Sequence, residues 1–337
     1  MKKTISLVVL FVLAVVLPAV INMGFLMTSL VQMVLYMYWA CAWNIMGGYA
    51  GLFSLGNGIY IGVGAYTTGI LYVSYGVSPW IGIIIGGIIA GLLSLIIGYP
   101  TFRIKGLYYS LATFALLAVM KVIFQNTKIM FGIPMGGSDG YKIPRLNVPA
   151  EMQFANNLAY YYIALALLVI ILFVSYFISK SRTGYYFRAI NANDMAASSL
   201  GVNVIALKLK AQFITALFTG IGGGVFTMLL RYIDPGSVFG VDMSINIMIM
   251  AVTGGSGTLW GPVLGAGLLR VMNQIFVSVL GSRFVGIPTV VFGVMLMLVV
   301  CFIPGGILGY AQTLKEKRAV KIHKATLATE AAEGGEE

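Results

Sequence analysis

Residues 79–97 read PWIGIIIGGIIAGLLSLII, nineteen positions without one charge. As a helix rising 1.5 Å per residue, such a run covers roughly the 30 Å hydrocarbon thickness of a bilayer. Residues 158–179 form a second run of this kind. The whole chain agrees with it: 59% of its 337 residues are hydrophobic and only 9% are charged, with a mean hydropathy of +0.95. A soluble chain needs about a quarter of its residues charged to cover its surface. The expected fold is therefore an all-α, polytopic membrane protein.

Ten membrane segments are expected, at 5–21, 25–46, 51–73, 79–97, 106–124, 158–179, 209–230, 244–252, 261–280 and 284–304. The eighth, at nine residues, is too short to cross alone and reads as half of a broken helix, unless the true number differs from ten. The opening MKKTISLVVLFVLAVVLPAV has the composition of a signal peptide, but no clean small-x-small site follows. An uncleaved first helix is the preferred reading. With both termini in the cytoplasm, fourteen of the 21 Lys and Arg residues fall inside, as the positive-inside rule requires. This layout makes the 125–157 loop external and the 180–206 loop cytoplasmic. Residues 1–310 form the membrane domain, and 311–337 a charged tail that reads as a mobile extension.

The net charge of +11 does not point to nucleic acid, because the basic residues flank apolar spans. Cys41 and Cys301 both lie in apolar segments, and the single histidine, His323, lies in the tail. That leaves no histidine for nucleophilic or metal chemistry in the membrane region. No Gly-Lys dipeptide exists, so there is no phosphate loop of the Walker type. The expectation is a chain that binds no cofactor and catalyses nothing by itself. Asp139, Glu151, Asp194, Asp234 and Asp242 all fall in loops or at span edges. The absence of a mid-span carboxylate disfavours an ion-coupled transporter.

Two segments are too rich in glycine for ordinary membrane helices. GGYAGLFSLGNGIYIGVGAYTTG, from Gly47 to Gly69, holds eight glycines, and GGSGTLWGPVLGAG follows from Gly254. Backbone interrupted at membrane depth is tolerated where it lines a cavity or packs on protein. One such segment in each half of a chain marks a central permeation site. The polar residues beside them, Asn44, Ser54, Asn57, Tyr66, Thr67 and Thr68, then Asn246, Thr253, Ser256 and Thr258, are candidate pathway residues. Close helix packing through small-x-x-x-small spacing is the competing reading.

In the cytoplasmic loop, Asn193 is placed to cap a short helix starting at Asp194, and Gly201 to stop it. That helix is expected to present Ala196, Ala197, Ser198 and Ser199 to a partner surface. A simple amphipathic connector is the alternative.

These motifs, with FRIKGLYYSLATFA, GGSDG and SRTGYYFRAINANDMAASSLGVNV, closely resemble the LivM-type membrane permeases of branched-chain amino acid ABC importers. The resemblance runs from about residue 43 to 309. It implies a LivH-like second permease, two cytoplasmic ATPases carrying ATP and Mg, and an extracytoplasmic binding protein, in a bacterial or archaeal cell membrane. It also implies ATPase contacts at Arg188, Asp194, Ala196, Ala197 and Gly201. Asn57 departs from the histidine usual in that family, which leaves urea, amides and other small polar solutes as alternative cargo, or a passive channel. Arg270, near the middle of 261–280, is costly there unless paired or wetted. A structural role leads a solute-pathway role. The external loop reads equally as a docking surface or a lid.

Overall fold

The computed structural model describes residues 24–280, except 105, 131–132, 145–147 and 155, plus a few isolated positions outside that range. The segments expected at 5–21 and 284–304, and the 311–337 tail, lie outside the described residues.

The described chain is helical almost throughout. It runs α1 (Gly24–Asn44), a π-helical turn (Ile45–Tyr49), α2 (Asn57–Tyr75), α3 (Pro79–Thr101) and α4 (Leu107–Asn126). After a looped stretch come α5 (Leu158–Lys180), α6 (Arg182–Ala192), α7 (Asp194–Ser199) and α8 (Val204–Leu230). The last part is α9 (Pro235–Val238), α10 (Val241–Gly255) and α11 (Gly261–Leu280). Among the described residues, six spans are long and apolar enough to cross a membrane: Leu26–Tyr49, Pro79–Thr101, Leu107–Asn126, Leu158–Lys180, Val204–Leu230 and Pro235–Gly255. Helices α2 and α11 stand where two more segments were expected.

Two expected boundaries are corrected. The third segment starts at Asn57, not 51, because residues 50–56 form a loop after the π-helical turn. The nine-residue eighth segment is a fifteen-residue helix, Val241–Gly255. Preceding it, Asp234 caps α9 by accepting from the Ser237 amide at 2.9 Å. Together they make a 21-residue span. The 180–206 loop also holds a helix the sequence reading left out, α6, capped by Ser181.

At the centre, α2, α3 and α8 touch through backbone. A Cβ on Gly64 would lie 2.1 Å from the Gly220 carbonyl oxygen, and one on Gly223 would lie 2.2 Å from that of Ile61. Gly87 and Gly220 bring α3 and α8 together in the same way. With no side chains in between, dispersion contacts form between main chains, the usual means of packing helices where lipid is as apolar as protein. Helix α1 closes the other side of α8. Trp39 donates to the Thr219 carbonyl at 3.2 Å, and Thr215 donates to that of Ala42 at 3.0 Å.

The 125–157 and 180–206 connections lie at opposite ends of the 23-residue α5. The first is bound to the ends of α2 and α8. Tyr72 donates to Glu151, Gln153 donates to the Tyr72 hydroxyl at 3.0 Å, and strand β3 (Tyr141–Lys142) pairs with β4 (Tyr232–Ile233); a hairpin, β1 (Ile129–Met130) and β2 (Ile133–Pro134), precedes them.

Candidate functional site

The first glycine-rich segment contains one true break, at 45–56. Beyond the π-helical turn its backbone groups lack helical partners, and side chains from three helices replace them. The Trp43 indole donates to the Ser54 carbonyl at 3.0 Å, and Ser110 of α4 donates to that of Phe53. The Leu55 amide donates to Thr113 of α4 at 3.1 Å. Ser244 of α10 donates to the Leu55 carbonyl at 2.6 Å and accepts from the Gly58 amide at 3.1 Å. Buried backbone needs such partners, so these hydroxyls hold the break in shape. Sequence reading missed Trp43, Ser110, Thr113 and Ser244.

The second break, residues 256–260, meets the first. Gly257 has a φ of +76°, which favours glycine. Asn44, at the end of α1, donates to the Thr258 carbonyl at 2.9 Å and accepts from the Gly257 amide at 2.8 Å. A Cβ on Gly48 would fall 2.4 Å from that same amide nitrogen. One buried asparagine thus satisfies two of the polar groups that the second break frees.

The candidate pathway residues do not form one wall. Asn44, Ser54 and Asn57 gather at the first break, and Ser256 is exposed at the second. Ser54 turns its hydroxyl to the Gly56 amide at 3.1 Å. Tyr66 is buried between Phe124 and Phe239, with ring centroids at 4.7 and 5.9 Å. Thr67 and Asn246 are half-buried on α2 and α10. Thr253 is buried and bonds back to the Ile249 carbonyl of its own helix at 2.8 Å. Thr68 does the same to Gly64, so both hydroxyls are spent locally.

Asn57 differs. It is fully buried at the start of α2, and neither amide atom has a hydrogen-bond partner among the described residues. A buried polar group left so costs about 1–3 kcal/mol. Asn57→Leu, similar in volume, is therefore expected to raise thermal stability by about 1–2 kcal/mol while lowering solute flux. Melting and uptake of the variant check both halves; a melting temperature at or below that of the parent speaks against an orphaned amide.

At the other candidate region, Asn193 caps α7 by accepting from the Met195 and Ala196 amides at 2.9 and 3.1 Å. Gly201 ends it with a φ of +81°. Asp194 forms an ion pair with Lys208 at the base of α8. Arg188 donates to the Ser179 carbonyl and lies 5.3 Å over the Tyr185 ring. The expectation for the small residues needs correcting. Ala196, Ser198 and Ser199 are exposed, but Ala197 is only 3% exposed and packs inward. A six-residue helix lying against its own chain turns one residue per turn toward it. Beside the exposed small residues, Met195 and, just past the end of α7, Leu200 are 68% and 85% exposed.

Asn191, on α6, joins the two regions. It donates to the Gly48 carbonyl at 3.2 Å, and Gly51, with a φ of +72°, has room for no Cβ against it. A cleft of about 500 Å³ opens beside this contact, lined by Gly51–Phe53, the start of α4, Asn191, Asp194 and Lys208. Arg270 lies elsewhere, 4.2 Å over the Tyr36 ring and donating to Gln32 at 3.0 Å. Those α1 partners give it a structural place.

The family described as branched-chain amino acid transport system / permease component matches residues 25–300. The chain belongs to this permease family. The permease is 28% identical over 293 residues to the high-affinity branched-chain amino acid transport system permease protein LivM of Escherichia coli, covering 81% of this chain and 68% of that one. It is 23% identical over 276 residues to a probable LivM of Methanocaldococcus jannaschii, covering 74% and 78%. Over 222 residues it is 23% identical to the nucleoside ABC transporter permease protein NupC of Lactococcus lactis, covering 63% and 67%. No solved structure matches. The permease is thus a multi-pass membrane protein of an ABC transport family.

Proposed function

We propose that the permease is the membrane subunit of a binding-protein-dependent ABC importer carrying branched-chain or related amino acids across a bacterial or archaeal cell membrane. ATP and Mg belong to two cytoplasmic ATPase subunits. A LivH-like chain completes the channel, and an extracytoplasmic binding protein delivers cargo. In this reading residues 1–310 form a domain of ten segments with both termini in the cytoplasm, 125–157 faces outside, and the 180–206 loop receives the ATPases. Asn44, Ser54, Asn57, Tyr66, Thr67, Asn246, Thr253 and Ser256 are its pathway candidates, and Arg188, Asp194, Ala196 and Gly201 its coupling candidates.

The observation that carries the reading is the exposed apolar tip of α7, Met195 and Leu200, on a corner bonded to the broken segment through Asn191. A chain without a nucleotide site must take free energy from outside, and rigid-body rocking of packed helices is a known means of using it. Neutral amides and hydroxyls suit a zwitterion, which needs both donors and acceptors but no fixed counter-charge. Contacts this weak also allow release.

A second cargo class has its own support. Relatives include permeases named for nucleosides and for autoinducer 2. The uncharged, two-sided amide of Asn57 equally suits urea, amides or other small polar solutes. Purified permease is expected to hydrolyse no ATP, and hydrolysis to appear when the ATPases are co-expressed. Uptake by the complex from a panel of leucine, valine, acetamide and urea then separates the cargo classes. Saturable uptake by the permease alone, without ATPases, would defeat the importer reading, and non-saturating flux would mark a passive channel.

A further inference from the structure

We propose that Asn191 and Asn44 act in series as positioning residues, carrying movement of the α6–α7 corner through the first glycine break to the second. This rests on the reading of α6–α7 as the ATPase-facing element and assigns the route inward from it.

The links are short and directional. Asn191 donates to the carbonyl of Gly48, inside the π-helical turn. That turn is the direct continuation of α1, whose last residue is Asn44. Asn44 then grips the second break with both halves of its amide, at Gly257 and Thr258. Gly48 lies so close to the Gly257 amide and the Asn44 side chain that the two breaks share one contact surface. Displacing the π-helical turn therefore displaces residues 256–260 or breaks two partly buried hydrogen bonds.

The surroundings let this corner move while neighbouring helices stay fixed. The cleft of about 500 Å³ lies between the α6–α7 corner and the first break, so the corner has space to close. Helices α2, α3 and α8 are locked by backbone contact and give no such space. Coupling in a folded protein is carried by contiguous contacts with discrete arrangements, and these two amides are contacts of that kind. A π-helical turn is also a frequent mark of a functional site within a helix.

The test uses the full complex in proteoliposomes, with Cys41 and Cys301 replaced by serine and Leu259→Cys as reporter. Leu259 lies within the second break and borders a small cleft with Tyr49, Arg188 and Gly257. The readout is the rate of labelling by a membrane-impermeant maleimide, without nucleotide and after trapping with ATP and vanadate. The parent complex is expected to change its labelling rate about ten-fold between the two states. Asn191→Ala and Asn44→Asp are expected to bring that ratio near one while the ATPases still co-purify with the permease. Asn191→Gln, which keeps the donor, is expected to recover part of it.

A ratio preserved in both variants overturns the relay, as does a parent complex whose reporter does not respond to trapping. Loss of bound ATPases in Asn191→Ala also overturns it, since Asn191 would then serve docking rather than transmission. Failure of the importer reading itself looks different: the ATPases then do not co-purify with the parent permease.

Discussion

Gly64→Ala is expected to remove nearly all folded permease from the membrane. Its Cβ would sit 2.1 Å from the Gly220 carbonyl oxygen and 2.6 Å from its Cα. Neither atom belongs to a side chain that can swing away, so α2 and α8 must move apart. Overpacking a well-filled core costs about 1–3 kcal/mol and occasionally more, and backbone against backbone belongs at the upper end. Gly82→Ala is the matched control, because its nearest contacts would be at 3.5 Å, ordinary van der Waals distance. Size-exclusion profiles and melting of fluorescent fusions compare the two. A Gly64→Ala protein melting within about 3 °C of the parent, on the order of 1 kcal/mol, would show that α2 and α8 do not meet through backbone.

Charge reversal at Asp194 is expected to spare the fold and disable transport. Asp194→Lys places a cation opposite Lys208 and at the N-terminus of α7, where a negative charge is preferred. The α7 corner then lifts from α8. Uptake is expected to fall about thirty-fold or more, on the order of 2 kcal/mol of lost coupling, with little change in melting. The double exchange Asp194→Lys with Lys208→Asp is expected to return most of the activity, because it rebuilds the pair in reverse. If the exchange does not restore uptake, the carboxylate itself meets the partner, and its bond to Lys208 is incidental.

How far these features could be read in advance depends on their range along the chain. Helices α3 and α5 are legible because an uncharged run of membrane length has few other solutions. The Asn193 cap and the Gly201 stop are legible because each acts within a few residues. Helix α6 was missed: its sequence is polar and short, and Ser181 starts it without an apolar run to announce it. The glycines of the first segment looked alike in the sequence but divide by role. Gly48 and Gly51 belong to the break, whereas Gly62 and Gly64 receive Phe239 and Gly220. Only the partner tells them apart, and the partner is remote. The same holds for Ser110, Thr113 and Ser244, which serve a loop 57 to 189 positions away. Ala197 was misplaced because a helix of six residues has too little periodicity to reveal which side faces its own chain.

The backbone seam between α2 and α8 also bears on how the protein is made. Helix α2 is a poor occupant of lipid, with four glycines, four tyrosines and two threonines among its nineteen residues, and it is absent from the six spans apolar enough to cross unaided. The helix that shelters it is encoded some 150 positions later, beginning at Val204. During synthesis the early part of the chain must therefore wait beside the translocation machinery for its counterpart to emerge. A nascent polypeptide halted before α8 would leave this glycine-rich helix without the neighbour that makes it tolerable in a bilayer.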